Sequence, residues 1–255
     1  MPADEPSGFL PASGPRVFAH RGLALDAPEN TLLAFLKALS AGATHIETDV
    51  HASLDGVAVV SHDPGLVHLT GRNVLIEQLT MAELRRINLG TGQGFVSLLE
   101  ALQAFPQARF NIDVKVEGAA EPTARAVLEA RATERVLITS FSERARAKTV
   151  RLLPGVATSP SARVFATAVL ANKLRLRRVT RRVLRRYSAV QVPEQVRMLR
   201  IVTPRFVSAM HDAGVEVHVW TVNAELDMAR LLDWGVDGLV TDRTDLAVSV
   251  VARRG

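Results

Sequence analysis

The sequence predicts an α/β protein built as a (β/α)8 barrel, a TIM barrel, with a small insertion after the second strand region. Short apolar segments of strand character alternate with amphipathic helical segments about eight times along the chain. Strands that each return through a helix form a parallel sheet with right-handed crossovers, and eight such units close a barrel. Polar residues end the predicted strands, which is where barrels of this kind build active sites.

An open, doubly wound sheet is the alternative fold, but the first strand is not followed by the Gly-x-Gly-x-x-Gly pattern of such proteins. The predicted strands cover residues 16–20, 45–53, 56–61, 109–115, 135–141, 155–159, 189–192, 215–223 and 237–241. The predicted helices cover residues 31–41, 81–87, 97–105, 122–132, 143–153, 162–187, 204–213, 224–234 and 245–252.

Local signals justify several of these boundaries. Asn30 is a good N-cap for the first helix, and Ser97 with Glu100 forms a capping box. Asp55-Gly56 is a turn signal that joins the second strand to a short hairpin partner. The stretch of about 63–95 is polar and rich in glycine, so we expect it to be the insertion, with one short helix.

Length and composition indicate one domain over residues 15–255, since 47% of the 255 residues are hydrophobic. Residues 1–14 lack the basic and apolar regions of an export signal, and we expect them to form a flexible leader. No stretch has the roughly 20 apolar residues that span a bilayer. The absence of cysteine excludes disulfides and thiolate metal sites, which is typical of a cytoplasmic protein.

The positive charge is concentrated in residues 173–186, which carry eight cationic side chains and no acid. The chain has a net charge of +5, so the remainder sums to 5 − 8 = −3, which argues against a nucleic-acid partner. Leu176, Val179, Val183 and Tyr187 recur at helical spacing and predict one helix with an apolar stripe. Its arginines are interpreted first as a solvated face; weak contact with an anionic membrane surface is the alternative.

Three carboxylates lie on two strands that we expect to be adjacent. Glu47 and Asp49 share a face of one strand, and Asp113 and Lys115 share a face of another. Adjacent strands lie about 4.8 Å apart, so these side chains would meet. Paired acids are common on solvated edges and Asp113 with Lys115 could be a structural ion pair, but buried carboxylates need a cation. All-oxygen ligands favour Mg²⁺ or Ca²⁺ over zinc.

Two histidines flank this acidic group in the sequence. His20 ends the first strand and His62 follows the hairpin strand, so both are candidates for proton transfer. The alternative is that each has only a structural role. Trp220 ends a later strand, where it could form the wall of a pocket. We expect Asp63 and Asp242 to be turn and loop anchors.

The order of these motifs resembles the glycerophosphodiester phosphodiesterase family, from about residue 16 to residue 245. The motifs are His20-Arg21-Gly22, Pro28-Glu29-Asn30-Thr31, Glu47-x-Asp49-Val50, Asp55-Gly56, His62-Asp63-Pro64, Asp113-x-Lys115, Trp220-Thr221-Val222-Asn223 and Gly235-Val236-Asp237-Gly238. Each motif is short, but their joint order is specific.

The resemblance implies a (β/α)8 barrel that hydrolyses small-molecule glycerophosphodiesters to glycerol 3-phosphate and an alcohol with a divalent cation. The roles that it implies are acid/base catalysis by His20 and His62, metal binding by Glu47, Asp49 and Asp113, phosphate binding by Arg21 and Lys115, and a glycerol or alcohol contact by Trp220. The insertion would cover the site.

Two positions depart from the family pattern. Asp113 stands where glutamate is usual, and His68 stands where arginine is frequent. The alternative activities are a phospholipase D acting on lysophospholipids or sphingomyelin, which a wide apolar groove beside Trp220 would favour, and a non-catalytic barrel that binds phospholipid surfaces.

Overall fold

Eight parallel strands form a nearly closed barrel in the computed structural model, which describes residues 8–10 and 14–254. The described strands are β1 (Arg16–His20), β2 (His45–Ala52), β3 (Ala58–Val60), β4 (Arg109–Val114), β5 (Val136–Thr139), β6 (Ala157–Thr158), β7 (Ala189–Pro193), β8 (Gln195–Val196), β9 (Leu199–Arg200), β10 (Glu216–Trp220) and β11 (Gly238–Thr241). The barrel order is β6-β5-β4-β2-β1-β11-β10-β7. Between the terminal strands of this order, Ser188 N donates a hydrogen bond of 2.9 Å to the Thr158 carbonyl. The predicted barrel is confirmed.

Helices cover the outside of this sheet. The described helices are α1 (Leu32–Ser40), α2 (Val67–Thr70), α3 (Met81–Leu84), α4 (Leu98–Ala104), α5 (Ala120–Glu129), α6 (Glu143–Leu152), α7 (Ala162–Lys173), α8 (Arg177–Leu184), α9 (Pro204–Asp212), α10 (Glu225–Asp233) and α11 (Thr244–Ala252), with single 3₁₀ turns at Ile76–Gln78, Glu117–Ala119 and Thr133–Arg135. None of these helices is both long enough and apolar enough to cross a membrane.

The alternation of side chains along β2 explains how one strand serves both the core and the site. Ile46 and Val50 are fully buried in the core between sheet and helices, whereas Glu47 and Asp49 point to the opposite face, the barrel interior. The strand register places Glu47 beside Asn111 and Asp49 beside Asp113 on β4. The sheet therefore brings the predicted acids together without help from loops.

The segment between β3 and α4 packs around a small core of its own. Leu66, Ile76, Met81, Leu84 and Phe95 are buried together with Val59 of β3. The helix expected at 81–87 is present as the shorter α3, and two further short helical turns precede it.

Two expectations about helices are wrong. Thr31, not Asn30, is the N-cap of α1: its hydroxyl accepts a hydrogen bond of 3.3 Å from Ala34 N, while Asn30 has a left-handed backbone with φ of 56°. The single helix expected over 162–187 is broken, because Arg175 is also left-handed, with φ of 58°, and α8 folds back on α7.

This break changes which residues of α8 face the protein. Thr180 and Leu184 are buried, whereas Leu176 and Val179 of the predicted apolar stripe are exposed. Val183 and Tyr187 do pack, partly buried, against the core. The first half of the stripe was wrong because it assumed that the helical rotation continues unbroken past residue 174.

The leader expected over residues 1–14 lies mostly outside the described residues. Within residues 8–10, Phe9 is 3% exposed, and its carbonyl oxygen lies 2.8 Å from His45 Nε2. Its ring packs edge-on against the His45 imidazole, with centroids 4.8 Å apart. This part of the leader is therefore packed against the start of β2.

Candidate active site

One cavity of about 450 Å³ opens at the carboxyl ends of the barrel strands, a size typical of small-molecule sites. It is lined by every residue that the sequence singled out for function, namely His20, Arg21, Glu47, Asp49, His62, Asp113, Lys115 and Trp220. Their meeting in one cavity is the central observation about this site.

The turn after β1 aims Arg21 into the cavity. Arg21 has a left-handed backbone, and its N–H points at Glu47, 3.1 Å from both the carbonyl oxygen and Oε2. Gly22 follows with φ of 87°, and a Cβ there would lie 2.7 Å from Ala34, so only glycine fits. The guanidinium then reaches Glu29 at 3.1 Å and Asp49 at 3.2 Å.

Asp49 is surrounded by partners that favour its ionised form. Its Oδ1 lies 2.6 Å from Lys115 Nζ, and its Oδ2 accepts a hydrogen bond of 3.1 Å from Asn30 Nδ2. Burial acts to raise the pKa of Asp49, but Lys115, Arg21 and Asn30 outweigh it, and the pKa is lowered. Asn30 is in turn held by the Thr48 hydroxyl at 2.7 Å.

Glu47 and Asp113 are less well satisfied. Burial, followed by repulsion from Asp49 and Asp113, raises the pKa of Glu47 well above its ordinary value. Burial also raises the pKa of Asp113, although Lys115 Nζ lies 2.7 Å from its Oδ2. Within the described structure, Asp113 Oδ1 is buried without a hydrogen-bond partner. Both carboxylates would be stabilised by an added cation.

The donor chemistry fits the divalent cation that the resemblance implies. The oxygens of Glu47 and Asp113 are hard ligands, and the unpartnered Asp113 Oδ1 is a free donor position. The residues that the structure describes nevertheless contain no group of three or more His, Asp and Glu side chains arranged to hold a metal ion. The ammonium group of Lys115 instead lies between Asp49 and Asp113.

Each of the two histidines has an aspartate partner. His20 Nδ1 lies 2.6 Å from Asp242 Oδ1, and Asn223 Nδ2 donates to the other oxygen of Asp242 at 2.7 Å. The hydrogen bond with His20 is the largest influence that lowers the pKa of Asp242. His62 Nδ1 lies 2.8 Å from Asp63 Oδ1. In both rings Nε2 is the nitrogen left for a substrate.

The other side of the cavity is apolar. Trp220 packs edge-on against Phe141, with ring centroids 6.0 Å apart, and Phe165, Val196 and Ile201 continue the lining. Phe141 is 65% exposed at the mouth. The cavity therefore has a charged side and an apolar side.

Several site residues were missed or misjudged from the sequence. Asp242 and Asp63 were expected to be anchors, yet each orients a candidate catalytic ring, and Asn30 was expected only to cap a helix. Asp242 directly follows the last strand, a position that could have signalled it. Phe141 also ends a predicted strand, but its contact with Trp220 is made only when the barrel closes.

The family model described as "Glycerophosphoryl diester phosphodiesterase family" matches residues 20–246. The chain belongs to this family. It is therefore an enzyme, a phosphoric diester hydrolase that acts on glycerophosphodiesters, and the alternative of a non-catalytic barrel is set aside.

Individual relatives of the family agree with this assignment. The chain is 39% identical over 249 residues to probable glycerophosphodiester phosphodiesterase 2 of Mycobacterium tuberculosis, covering 97% of this chain and 94% of that one. Its fold is similar to a solved Oleispira antarctica phosphodiesterase in complex with the product sn-glycerol-3-phosphate, with a TM-score of 0.74, 26% identity, and coverage of 94% and 97%. A shorter match of 114 residues, 36% identical, links 40% of the chain to 36% of a lysophospholipase D of Rattus norvegicus.

Proposed function

We propose that this phosphodiesterase releases glycerol 3-phosphate and an alcohol by histidine acid/base catalysis that depends on a divalent cation. The observation that carries the proposal is the convergence of two aspartate-held histidines, two cationic side chains and three acids on one cavity. The solved Oleispira relative, which holds sn-glycerol-3-phosphate as its product, supports the same product here. The cytoplasmic location expected from the sequence stays a prediction.

Glu47, Asp49 and Asp113 are the residues that would hold Mg²⁺ or Ca²⁺. A cation held there would supply positive charge to offset the charge that develops on the phosphoryl oxygens. The raised pKa of Glu47 and the free oxygen of Asp113 support this role. Asp49 would exchange its contact with Lys115 for the cation, since both its oxygens are engaged by other side chains.

Arg21 and Lys115 would bind the phosphodiester anion. A phosphodiester carries one negative charge that repels nucleophiles, so the site must offset it before reaction. Arg21 is held in place by Glu29, and Lys115 is held by Asp49 and Asp113. On substrate binding, the Lys115 ammonium would turn from these carboxylates to the phosphoryl oxygens.

His20 and His62 would carry the two proton transfers. One ring accepts the proton of the nucleophile, either water or the neighbouring glycerol hydroxyl, and the other donates a proton to the leaving alkoxide. Asp242 and Asp63 fix the Nδ1 side of each ring, so Nε2 serves the substrate in both cases. His51 donates from Nε2 to the His62 carbonyl at 3.1 Å and holds that loop near the acids.

A second candidate substrate class has support of its own. The apolar side formed by Phe141, Phe165, Val196, Ile201 and Trp220 would suit the hydrocarbon of a lysophospholipid. The partial match to a lysophospholipase D points the same way. Glycerophosphodiesters remain the first choice, because the relative aligned over 97% of the chain is named for them, whereas the lysophospholipase D match covers 40%.

The test is the release of glycerol 3-phosphate from a panel of glycerophosphodiesters that differ in the alcohol, assayed with and without EDTA. Turnover that EDTA abolishes and that Mg²⁺ or Ca²⁺ restores would support the proposal. Lysophospholipids form the second arm of the panel, with release of the head-group alcohol as the signal. Turnover without a metal would refute the proposed dependence on a divalent cation. Preferred turnover of lysophospholipids would favour the second substrate class.

A further inference from the structure

The turn between α7 and α8 exposes an unusual mixture of side chains. Residues 173–179, which we name the α7–α8 tip, are exposed without interruption. Leu174, Leu176 and Val179 are 61%, 48% and 44% exposed. The other four residues of the tip are all cationic, namely Lys173, Arg175, Arg177 and Arg178. Leu170, one turn earlier on α7, is 59% exposed.

These exposed leucines do not belong to the face of α8 that packs against the protein. The inward positions of α8 are filled by Thr180 and Leu184, which are 3% and 0% exposed. Single exposed apolar side chains are normal on protein surfaces, but a group of four within ten residues is not. The fold therefore presents this apolar group to the outside.

The positive charge of the same surface is only slightly compensated. No acid occurs from residue 173 to residue 186. The nearby Asp212 carboxylate lies 3.9 Å from the Arg177 guanidinium, which is 87% exposed, and the Asp212 carbonyl accepts a hydrogen bond of 2.9 Å from Arg181. One loose ion pair leaves most of the cationic charge of the tip free for a partner.

We infer that the α7–α8 tip is a docking surface for an anionic lipid bilayer. The arginines and Lys173 would meet lipid phosphates, while Leu174 and Leu176 enter the boundary between head groups and acyl chains. A nucleic acid would satisfy the cations alone and would gain nothing from the leucines. The pairing of both features in seven residues favours the bilayer.

The position of the tip decides how the enzyme would face the membrane. Ala162 and Phe165, in the first turn of α7, line the cavity, and Lys173 follows about 16 Å further along the helix axis. Arg177 and Arg181 approach Asp212, the last residue of α9, which leads into the amino end of β10. Docking would thus leave the cavity mouth open to water, where soluble diesters reach it.

The experiment is co-sedimentation of the full chain with vesicles, using phosphatidylglycerol mixed with phosphatidylcholine and, in parallel, phosphatidylcholine alone. We expect binding to the anionic vesicles at low salt and weaker binding at high salt. The triple variant Lys173→Gln/Arg175→Gln/Arg178→Gln should bind roughly 100-fold more weakly. The variant Leu174→Ser/Leu176→Ser, which keeps the charge, should bind roughly tenfold more weakly.

Matched controls change the same residue types on other helices. Arg125→Gln/Arg151→Gln/Arg205→Gln removes three exposed arginines, and Leu128→Ser/Leu226→Ser removes two exposed leucines; both should bind like the wild type. Turnover of a soluble diester confirms that each variant is folded.

Three outcomes would overturn the inference. The first is equal binding to pure phosphatidylcholine, and the second is controls that lose as much binding as the tip variants. The third is tight binding to duplex DNA with no effect of the leucine variant on vesicles, which would indicate a general polyanion surface. Loss of turnover in the vesicle-bound fraction would overturn the proposed orientation.

Discussion

The two ends of the barrel both contain buried charges and histidines, but they satisfy them differently. At the amino end, Arg16 Nη2 lies 2.8 Å from Glu216, whose other oxygen lies 3.0 Å from the fully buried His218. Phe9 covers His45, and burial lowers the pKa of His45 to about 3. Charged and neutral groups at this end are matched to partners within the protein.

At the carboxyl end, acids of the same type repel one another and are not all paired within the described structure. Glu47 is repelled by Asp49 and Asp113, and Asp113 keeps a buried oxygen without a partner in the described structure. His20 is partly exposed in the cavity that Lys115 and its two acids also line. The difference indicates how a binding site can be told from a structural cluster of buried charges. In a binding site, the charged groups lack sufficient partners within the protein and need a ligand.

The largest expected effect follows from removing one of the conflicting acids. Glu47→Gln should lower kcat by about 10³-fold, because the site loses charge that holds the cation. Excess Mg²⁺ or Ca²⁺ should restore part of the activity. Steady-state kinetics and metal titration measure both effects, with the exposed Glu129→Gln as the control. Full turnover of EDTA-stripped enzyme would show that these acids are not metal ligands.

Loss of either of the histidines proposed to be catalytic should have the next largest effect. His20→Ala and His62→Ala should each lower kcat by about 10²- to 10⁴-fold, since each removes one proton transfer. The wild-type pH profile should be bell-shaped, and each variant should lose one limb. His211→Ala, which is remote from the cavity, should change little. Near-normal kcat of His62→Ala on a substrate with a poor leaving group would contradict its role as an acid.

Asp242→Asn tests whether the aspartate partner positions His20. Asparagine keeps the size but removes the negative charge that faces Nδ1. We expect kcat to fall by about 10- to 100-fold, with a displaced pH profile and little change in KM. Asp227→Asn on α10, which does not line the cavity and likewise removes a carboxylate with a side-chain partner (Arg230 at 2.6 Å), is the matched control. An unchanged pH profile would limit Asp242 to anchoring its loop.

The apolar side of the cavity should affect substrate choice more than rate. Phe141→Ala should raise KM about tenfold for a diester with a long apolar alcohol, since the exposed ring is lost as a contact. KM for a short polar alcohol should stay nearly constant. The measurement is kcat and KM of the variant and the wild type for each of the two substrates. Equal effects on both substrates would refute an alcohol subsite beside Trp220.

The smallest effect on activity is expected at the amino end, where Glu216→Gln should change stability instead. Although burial acts to raise it, hydrogen bonding to His218 and the charge of Arg16 lower the pKa of Glu216 below its ordinary value of 4.5. Its stabilisation is therefore present above pH 4.5 and is lost as the pH falls through the lowered pKa. The variant should lose about 1–3 kcal/mol of unfolding free energy at pH 7.

Urea unfolding at pH 7 and pH 3 checks this prediction, because the difference between variant and wild type should shrink at the lower pH. Turnover at neutral pH should be near that of the wild type. A drop in kcat as large as that of Asp242→Asn would break the distinction between the two ends of the barrel.

The sequence by itself determined the barrel and eight of the residues that line its cavity. Strand alternation decides which side of β2 bears Glu47 and Asp49, and parallel pairing aligns them with Asp113. These relations follow from the periodicity of the strands, so they can be predicted from the sequence without the structure.

Only the tertiary structure decided which partners these residues meet. Asp242, itself held by Asn223, reaches His20 across the junction of the last strand and the first, and Phe141 reaches Trp220 from another loop. The break at Arg175 was also decided by packing, since helical periodicity runs through it. Contacts between residues distant in sequence depend on how the sheet closes and on which faces become buried, and local pattern carries no record of either.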